Sequence, residues 1–170
     1  MPWMHEAGVR TMTRALTNLI HVLEKGAAHA EAKKIEPAVL VNARLYPDMF
    51  PLSKQVQIAT DVAKLGSARI AGVEPPKYED NEASFADLIE RVRKTIAYLE
   101  TLKPQQFEGT DAKTVTFPVA GGKDSRTWPG ARYLQHRVIP NVFFHCATTY
   151  NILRHNGVEI GKADFLGPLD

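Results

Sequence analysis

Hydrophobic residues recur every three or four positions along four long segments of the chain, which are separated by stretches rich in proline, glycine and polar residues. This spacing places the apolar side chains on one face of a helix and the polar side chains on the other. The four predicted amphipathic helices cover about Ala7–Ala32, Pro51–Ala71, Ser84–Lys103 and Gly130–His155. Pro140 cannot supply an N–H to a continuous helix, so we expect a kink or a new helix start there.

The periodicity changes between the third and fourth predicted helices. Val115, Phe117 and Val119 alternate with threonine and proline, which is typical of a strand with one buried face. Gly121-Gly122 then separates this run from a second short run that ends at Trp128. The pattern predicts a small β-hairpin, and we expect it to pack against the helices or a second subunit because a two-stranded ribbon is only marginally stable alone.

The composition is that of an ordinary globular protein with one domain. The 170 residues are 44% hydrophobic and 24% charged, and the formal net charge is +2. Basic and acidic residues are interspersed, as between Glu90 and Lys94, so we expect a solvated helix face there and no nucleic-acid binding. The single cysteine, the lack of a signal-peptide pattern and the lack of a long apolar run indicate a cytoplasmic protein with no membrane partner.

Two polar residues fall on helix faces that are otherwise apolar. Gln55 lies near the middle of the apolar arc of the second helix, and His145 lies on the inward stripe of the fourth. A buried amide without a partner costs on the order of 1–3 kcal/mol, so we expect Gln55 to bond to another helix, a water molecule or a ligand. Gln57 and Asp61 point to the opposite side of the second helix and are expected to be solvated.

The other chemistry-bearing residues are expected to be structural. Cys146 follows His145 in an apolar run, but consecutive helical residues point about 100° apart, so we expect a buried thiol and not a nucleophile. Surface positions are expected for four other histidines, His21, His29, His136 and His155. The chain has no glycine-rich phosphate loop, no His-Glu-x-x-His and no paired cysteines, which disfavours the enzyme classes that use them.

Several motifs resemble those of the DinB/YfiT-like superfamily, and in particular a bacterial branch described as a domain of unknown function. These motifs span nearly the whole chain and are Leu45-Tyr-Pro-Asp-Met-Phe-Pro-Leu52, Gln55-Val-Gln-Ile-Ala59, Pro140-Asn141 with Phe144-His145, and the ending Gly161-Lys-x-Asp164-Phe-Leu-Gly167. The resemblance implies an all-α, up-down-up-down four-helix bundle with a small β-hairpin before the last helix. It also implies a homodimer, because related bundles often pair.

Members of this superfamily typically hold a divalent metal with one histidine from the second helix and a His-x-x-x-His pair from the fourth. The resemblance places His145 at the second position of that pair and Asn141 at the first, while the second helix has no histidine and offers Gln55 instead. One imidazole and two amides are a poor donor set for zinc or nickel. We therefore expect no cofactor, and a metal that did bind would use His145, Asn141 and Gln55.

Three interpretations of this polar core stay open. In the first, its side chains satisfy one another or an internal water molecule. In the second, they form a small-molecule pocket lined by Gln55, Asn141, His145, Tyr150, Tyr133 and Trp128, in which His145 acts as a general base if its pKa lies near neutral. The third is that dimerisation is the main role, with a dry core.

Two functional hypotheses follow from the resemblance. The leading hypothesis is a degenerate DinB-like site that binds a small ligand or partner without catalysis. The alternative is a metal-assisted transferase or hydrolase of the DinB-like class that uses His145 as its catalytic residue.

Overall fold

Four long helices account for most of the described chain. A computed structural model describes residues 2–169, apart from the side chain of residue 120. The first helix, α1, consists of Trp3–His5, a π-helical turn at Glu6–Arg10 and the long segment Thr11–Lys33. It is followed by α2 (Pro37–Val41), α3 (Leu52–Ala71) and α4 (Phe85–Thr101). The next helix, α5, consists of Gly130–Tyr133, a π-helical turn at Leu134–Val138 and the long segment Ile139–His155, and α6 is Lys162–Leu166. Within this range no helix is both long and apolar enough to cross a bilayer.

The helix ends follow from local sequence. The Ser84 hydroxyl accepts the N–H of Asp87 at 3.2 Å, and the Asp87 carboxylate accepts the N–H of Ser84 at 2.9 Å, which confirms the predicted cap of α4. Gly72 ends α3 with a left-handed φ of 73°, where glycine is favoured. The first helix starts at Trp3, earlier than the predicted start at Ala7, and the predicted connector contains α2.

No new helix starts at Pro140. Instead α5 changes from π-helical to α-helical hydrogen bonding between Val138 and Ile139, and both residues keep right-handed helical backbone angles. Pro140 lies in the first turn of the α-helical segment, where a missing N–H is best tolerated. The predicted break is therefore a change of helix type inside one continuous helix.

The helix directions follow from which residues meet at the start of α1. Near the end of α3, the Ser67 hydroxyl donates a hydrogen bond to the Gly8 carbonyl at 2.5 Å. Just past the end of α4, the Leu102 carbonyl accepts a hydrogen bond from Nε2 of His5 at 3.1 Å. Both helices therefore run opposite to α1. The beginning of α5 also lies there, since Leu134 packs beside Gly8, so α5 runs along α1. The four-helix bundle and hairpin are confirmed, but the order is up-down-down-up, not the predicted up-down-up-down.

The crossover, residues 72–84, makes this order feasible because it returns along the length of the bundle between α3 and α4. Its contacts with α3 record this course. The Tyr78 ring lies 3.6 Å from the Lys64 ammonium, and Glu82 bonds to Gln57, which is about two turns closer to the start of α3. An up-down-up-down order would place α4 antiparallel to α3, and the length of the crossover allows α4 to run parallel to α3 instead.

Small residues on α3 bring it close to α5. Ala59, Ala63 and Gly66 share one face of α3 and are fully buried. A Cβ on Gly66 would lie 2.7 Å from both methyl groups of Val138, which is nearer than such atoms approach in proteins. The two helices are therefore in direct contact at this point, and larger side chains on α3 would push them apart.

The hairpin consists of β1, Thr114–Val119, and β2, Asp124–Pro129, paired antiparallel. Val115 and Phe117 are buried, as the alternation predicts. The Phe117 ring lies 5.1 Å from that of Trp128 and 4.7 Å from that of Tyr133, centroid to centroid. The hairpin thus packs on the first turns of α5, at the end of the bundle where α1 starts.

A cluster of buried charges, which we call the Arg91 cluster, ties the crossover to α3 and α4. The Arg91 side chain is 2% exposed, and its guanidinium lies 2.8 Å from Glu82, 3.0 Å from Asp61 and 3.1 Å from Asp80. Its Nε also donates to the Thr60 hydroxyl at 2.9 Å. One cation thereby contacts both helices and the crossover at once.

Three residues that were expected in solvent belong to this cluster. Gln57 is 6% exposed and donates to Glu82 at 2.8 Å. Asp61 lies 3.0 Å from both Lys64 and Arg91. Arg91 itself comes from the mixed-charge segment of α4. The expectation of solvation is wrong for Gln57 and Arg91, because the crossover covers this polar stripe and supplies partners in place of water. The Asp61 side chain is 34% exposed, so solvent still reaches it.

We predict that Arg91→Ala lowers the free energy of unfolding by about 3–5 kcal/mol, because it leaves the buried Glu82 and the partly exposed Asp61 and Asp80 without their cation. Arg93→Ala is the matched control. Arg93 is on the same helix, 58% exposed, and paired with Glu24 at 3.4 Å, so its removal should cost about 0–1 kcal/mol. Urea denaturation measures both, and equal losses in the two variants would contradict a structural role for the Arg91 cluster.

Candidate functional site

Gln55 and His145 meet between α3 and α5. Nδ1 of the imidazole lies 2.7 Å from Oε1 of Gln55, and the Gln55 amide nitrogen donates to the Phe50 carbonyl at 3.0 Å. Gln55 is 2% exposed and His145 8% exposed. The prediction that this inward amide needs a partner is therefore confirmed, and of the three alternatives, another helix, a water molecule or a ligand, the structure shows another helix with its inward histidine.

These contacts determine the tautomer of His145. The bond to Phe50 fixes which end of the Gln55 amide is nitrogen, so the atom facing Nδ1 is an oxygen and can only accept. Nδ1 therefore carries the proton and donates it to Gln55, and Nε2 carries the lone pair. Nε2 makes no hydrogen bond with the described residues, and it is not among the atoms sealed from solvent without a partner.

Burial lowers the pKa of His145 from 6.5 to about 4, because the charged imidazolium would lose its hydration in this setting. The imidazole is consequently neutral at physiological pH. A general base works best when its pKa lies near the operating pH. His145 was predicted to act as a base only if its pKa is near neutral, and a pKa of about 4 does not meet this condition. Its Nε2 is better suited to accept a hydrogen bond than to remove a proton.

Further side chains surround this pair. Asn141 is one turn before His145 on α5, is partly exposed, and makes no side-chain hydrogen bond with the described residues. The Phe144 ring is 57% exposed and meets the imidazole edge to face, at 5.1 Å between centroids. Phe50, whose carbonyl holds Gln55, is 56% exposed. One exposed aromatic ring, that of Phe144, thus lies directly beside the imidazole.

Three other predicted pocket residues lie elsewhere. Tyr133 accepts a hydrogen bond from Arg69 at 3.1 Å. Arg69 lies on α3 fourteen residues after Gln55, which is about 21 Å along the helix at 1.5 Å per residue. Trp128 belongs to the hairpin at that same end. Tyr150 bonds to the Ile160 carbonyl at 3.4 Å. The structure brings together Gln55, Asn141 and His145 and separates Tyr133 and Trp128 from them; a ligand role for Tyr150 stays a prediction.

The donor set at this site does not fit a firmly held zinc or nickel ion. His145 offers one imidazole nitrogen, and its neighbours offer amides. Within residues 2–169, no group of three or more histidine, cysteine, aspartate or glutamate side chains is placed to hold an ion. We therefore derive no metal-dependent step at His145.

The expectations for Cys146 and for the surface histidines agree with the structure. Cys146 is buried, and burial raises the pKa of its thiol to about 12, so it is not a nucleophile at neutral pH. His21, His136 and His155 are exposed, and His29 is partly exposed. Sequence reasoning missed the aromatic neighbours Phe50 and Phe144. Both fall outside the inward stripes, and only their large exposure in the fold identifies them.

The comparisons with known proteins agree on one family. The family model described as "Domain of unknown function (DUF1993)" matches residues 4–166. A crystal structure of a DinB family member protein from Shewanella denitrificans is 38% identical in sequence, with a TM-score of 0.89, over 98% of this chain and 93% of that chain. No curated protein matches the chain.

We predict that His145→Gln reduces the loss of stability on acidification. His145 takes up a proton below about pH 6.5 in the unfolded chain but only near pH 4 in the folded protein. The contribution of this histidine to the free energy of unfolding is therefore present above pH 6.5 and is lost as the pH falls towards 4. Glutamine has no such proton. Urea denaturation at several pH values between 7 and 4 tests this.

His136→Gln is the control, because His136 is exposed on the same helix and should leave the wild-type pH dependence unchanged. Parallel stability curves for wild type and His145→Gln across this range would contradict a buried neutral imidazole.

Proposed function

The chain belongs to the DUF1993 family and has the DinB-like fold, and from this premise we propose that it binds a small molecule at Gln55, Asn141 and His145 without catalysing a reaction. The observation that carries the proposal is the unpaired Nε2 of a neutral, buried imidazole. We also propose a cytoplasmic setting, since the single cysteine is buried and no intrachain disulfide can form.

The ligand chemistry follows from the groups around Nε2. An acceptor nitrogen calls for an O–H or N–H donor on the ligand, and Asn141 adds a carboxamide that can donate or accept. The exposed ring of Phe144, which meets the imidazole edge to face, favours a planar apolar group next to that donor. We therefore propose a ligand that combines a hydrogen-bond donor with an aromatic or similarly flat apolar portion.

The neutral state of His145 argues for binding over catalysis. Its pKa of about 4 makes it a weak base at neutral pH, and Gln55, an uncharged partner, does little to favour the imidazolium. Catalytic histidines are commonly oriented by a carboxylate that stabilises the charged form. This pair instead resembles a fixed hydrogen-bond acceptor.

We predict that phenol binds at His145 and that anisole, which has the same ring but no O–H donor, binds about five- to thirtyfold more weakly, because the lost hydrogen bond costs on the order of 1–2 kcal/mol. The 15N chemical shift of His145 Nε2 in NMR titrations reports the contact directly. Phenol should move it in a saturable way.

His145→Ala should abolish the phenol response, and His136→Ala, on an exposed face of the same helix, should preserve it. Equal affinities for phenol and anisole, or phenol binding that survives His145→Ala, would contradict the proposed site.

Metal analysis separates the binding function from the metal-assisted transferase or hydrolase alternative. For protein without an affinity tag, we expect elemental analysis to find less than about one tenth of an equivalent of zinc or nickel, because three strong ligands are the usual requirement. Near-stoichiometric metal that disappears in His145→Ala would overturn the proposal in favour of the alternative.

A homodimer stays a prediction, because the structure describes a single chain. The exposed rings of Phe144, Phe50 and Tyr46 offer apolar surface that a second copy would cover.

A further inference from the structure

A cleft of about 210 Å³ lies between α1, α5 and α6, and we call it the α6 cleft. Its walls are mostly apolar: Ala15, Leu19 and Val22 come from α1, Phe143 and Cys146 from α5, and Phe165 from α6. Polar side chains, including Asn18, occur at its margin. The cleft is separate from the site of His145, because consecutive residues of a helix point about 100° apart and His145 faces α3.

We propose that the α6 cleft is a second binding site, which takes a small apolar molecule or the apolar end of a larger one, of the size of a substituted benzene ring or a short acyl chain. An apolar cavity of about 150 Å³ is large enough to bind benzene. The cleft exceeds that volume, and its lining provides the hydrophobic contact on which such ligands depend. The Cys146 thiol adds a small, uncharged, polarizable surface.

Helix α6 covers the cleft and is held there by polar contacts at the surface. The Asp164 carboxylate lies 2.9 Å from the His21 ring and 2.7 Å from the Lys25 ammonium, both on α1. Asn18 donates to the Phe165 carbonyl at 3.1 Å. The His21 and Lys25 side chains are 51% and 40% exposed, and ion pairs with such solvent-exposed cations contribute little individually.

None of the residues of α6 is fully buried, in contrast to the four long helices. Displacement of α6 would therefore break a few surface contacts and leave the bundle core intact. This gives an apolar ligand a route into the cleft, since the rest of the lining belongs to rigid helices.

Cys146 is a built-in reporter of the cleft. It is the only cysteine in the chain, it lines the cleft, and it is 2% exposed. A small thiol reagent such as methyl methanethiosulfonate must enter the cleft to reach it, and it reacts with the thiolate, which burial disfavours, so modification requires an opening that admits both the reagent and water. An occupied cleft should therefore slow the modification of Cys146, and a displaced α6 should accelerate it.

The probe is toluene, and the measurement is the rate of Cys146 modification by mass spectrometry. We expect toluene to slow the reaction at least about fivefold in a saturable way, in wild type and equally in His145→Ala, which separates this site from that of the proposed function. Asp164→Asn removes charge from the anchor of α6 and should accelerate the reaction several-fold without toluene.

Ala15→Leu places a larger side chain into the cleft and should abolish the effect of toluene. Ala97→Leu is the matched control, because Ala97 is exposed on α4, and it should behave as wild type. If Ala15→Leu does not fold, a crystal of the wild type under xenon pressure decides, with a xenon atom expected in the cleft. Modification that toluene does not slow, or a cleft without xenon, overturns the proposal.

Discussion

The guanidinium of Arg91 is the interaction on which the arrangement of the bundle depends. Because α4 runs parallel to α3, the chain has to travel back along the bundle through the crossover, and this segment has little apolar surface with which to attach itself. Arg91 supplies the attachment by binding Glu82 and Asp80 of the crossover and Asp61 of α3 at the same time. A buried cation is costly in isolation, but it is stable when several charge-assisted hydrogen bonds satisfy it. The crossover and the two helices therefore fold as one unit.

On the other side of α3, the packing is apolar and close. Ala59, Ala63 and Gly66 let α3 approach α5, and the Gln55–His145 bond lies farther along the same interface. The rigid contact at Gly66 fixes the distance between the helices, so the polar pair is held in place by its surroundings and does not have to hold the helices together. Preorganisation of this kind suits a binding site, because the acceptor is already aimed before a ligand arrives.

Much of the fold could be predicted from sequence because periodicity and caps are local signals. The four helices, the hairpin and the Ser84 cap depend on such signals, and so does the inward position of Gln55 and His145. The direction of α4 could not be predicted, since it depends on what covers the polar stripe of α3. Arg91 is three residues after Leu88 and four residues before Thr95, so it lies on the same inward face of α4. Its helical spacing therefore predicts its burial better than the charges of its neighbours in sequence do. Tyr133 was wrongly predicted to lie near His145, because the two residues are twelve positions apart on α5 and therefore about 18 Å apart along the helix.

The π-helical turn at Leu134–Val138 has a consequence for the length of the polypeptide. Such a turn holds one residue more than α-helical winding requires, and each residue rotates the helix by about 100°. If one residue were deleted from it, the turn would revert to α-helical winding, and His145 would keep its direction towards α3. A one-residue gap inside this turn in an alignment of homologous sequences would thus leave the Gln55–His145 pair intact, whereas the same gap between Ile139 and His145 would turn Cys146 towards Gln55 while the overall shape of the bundle stayed the same.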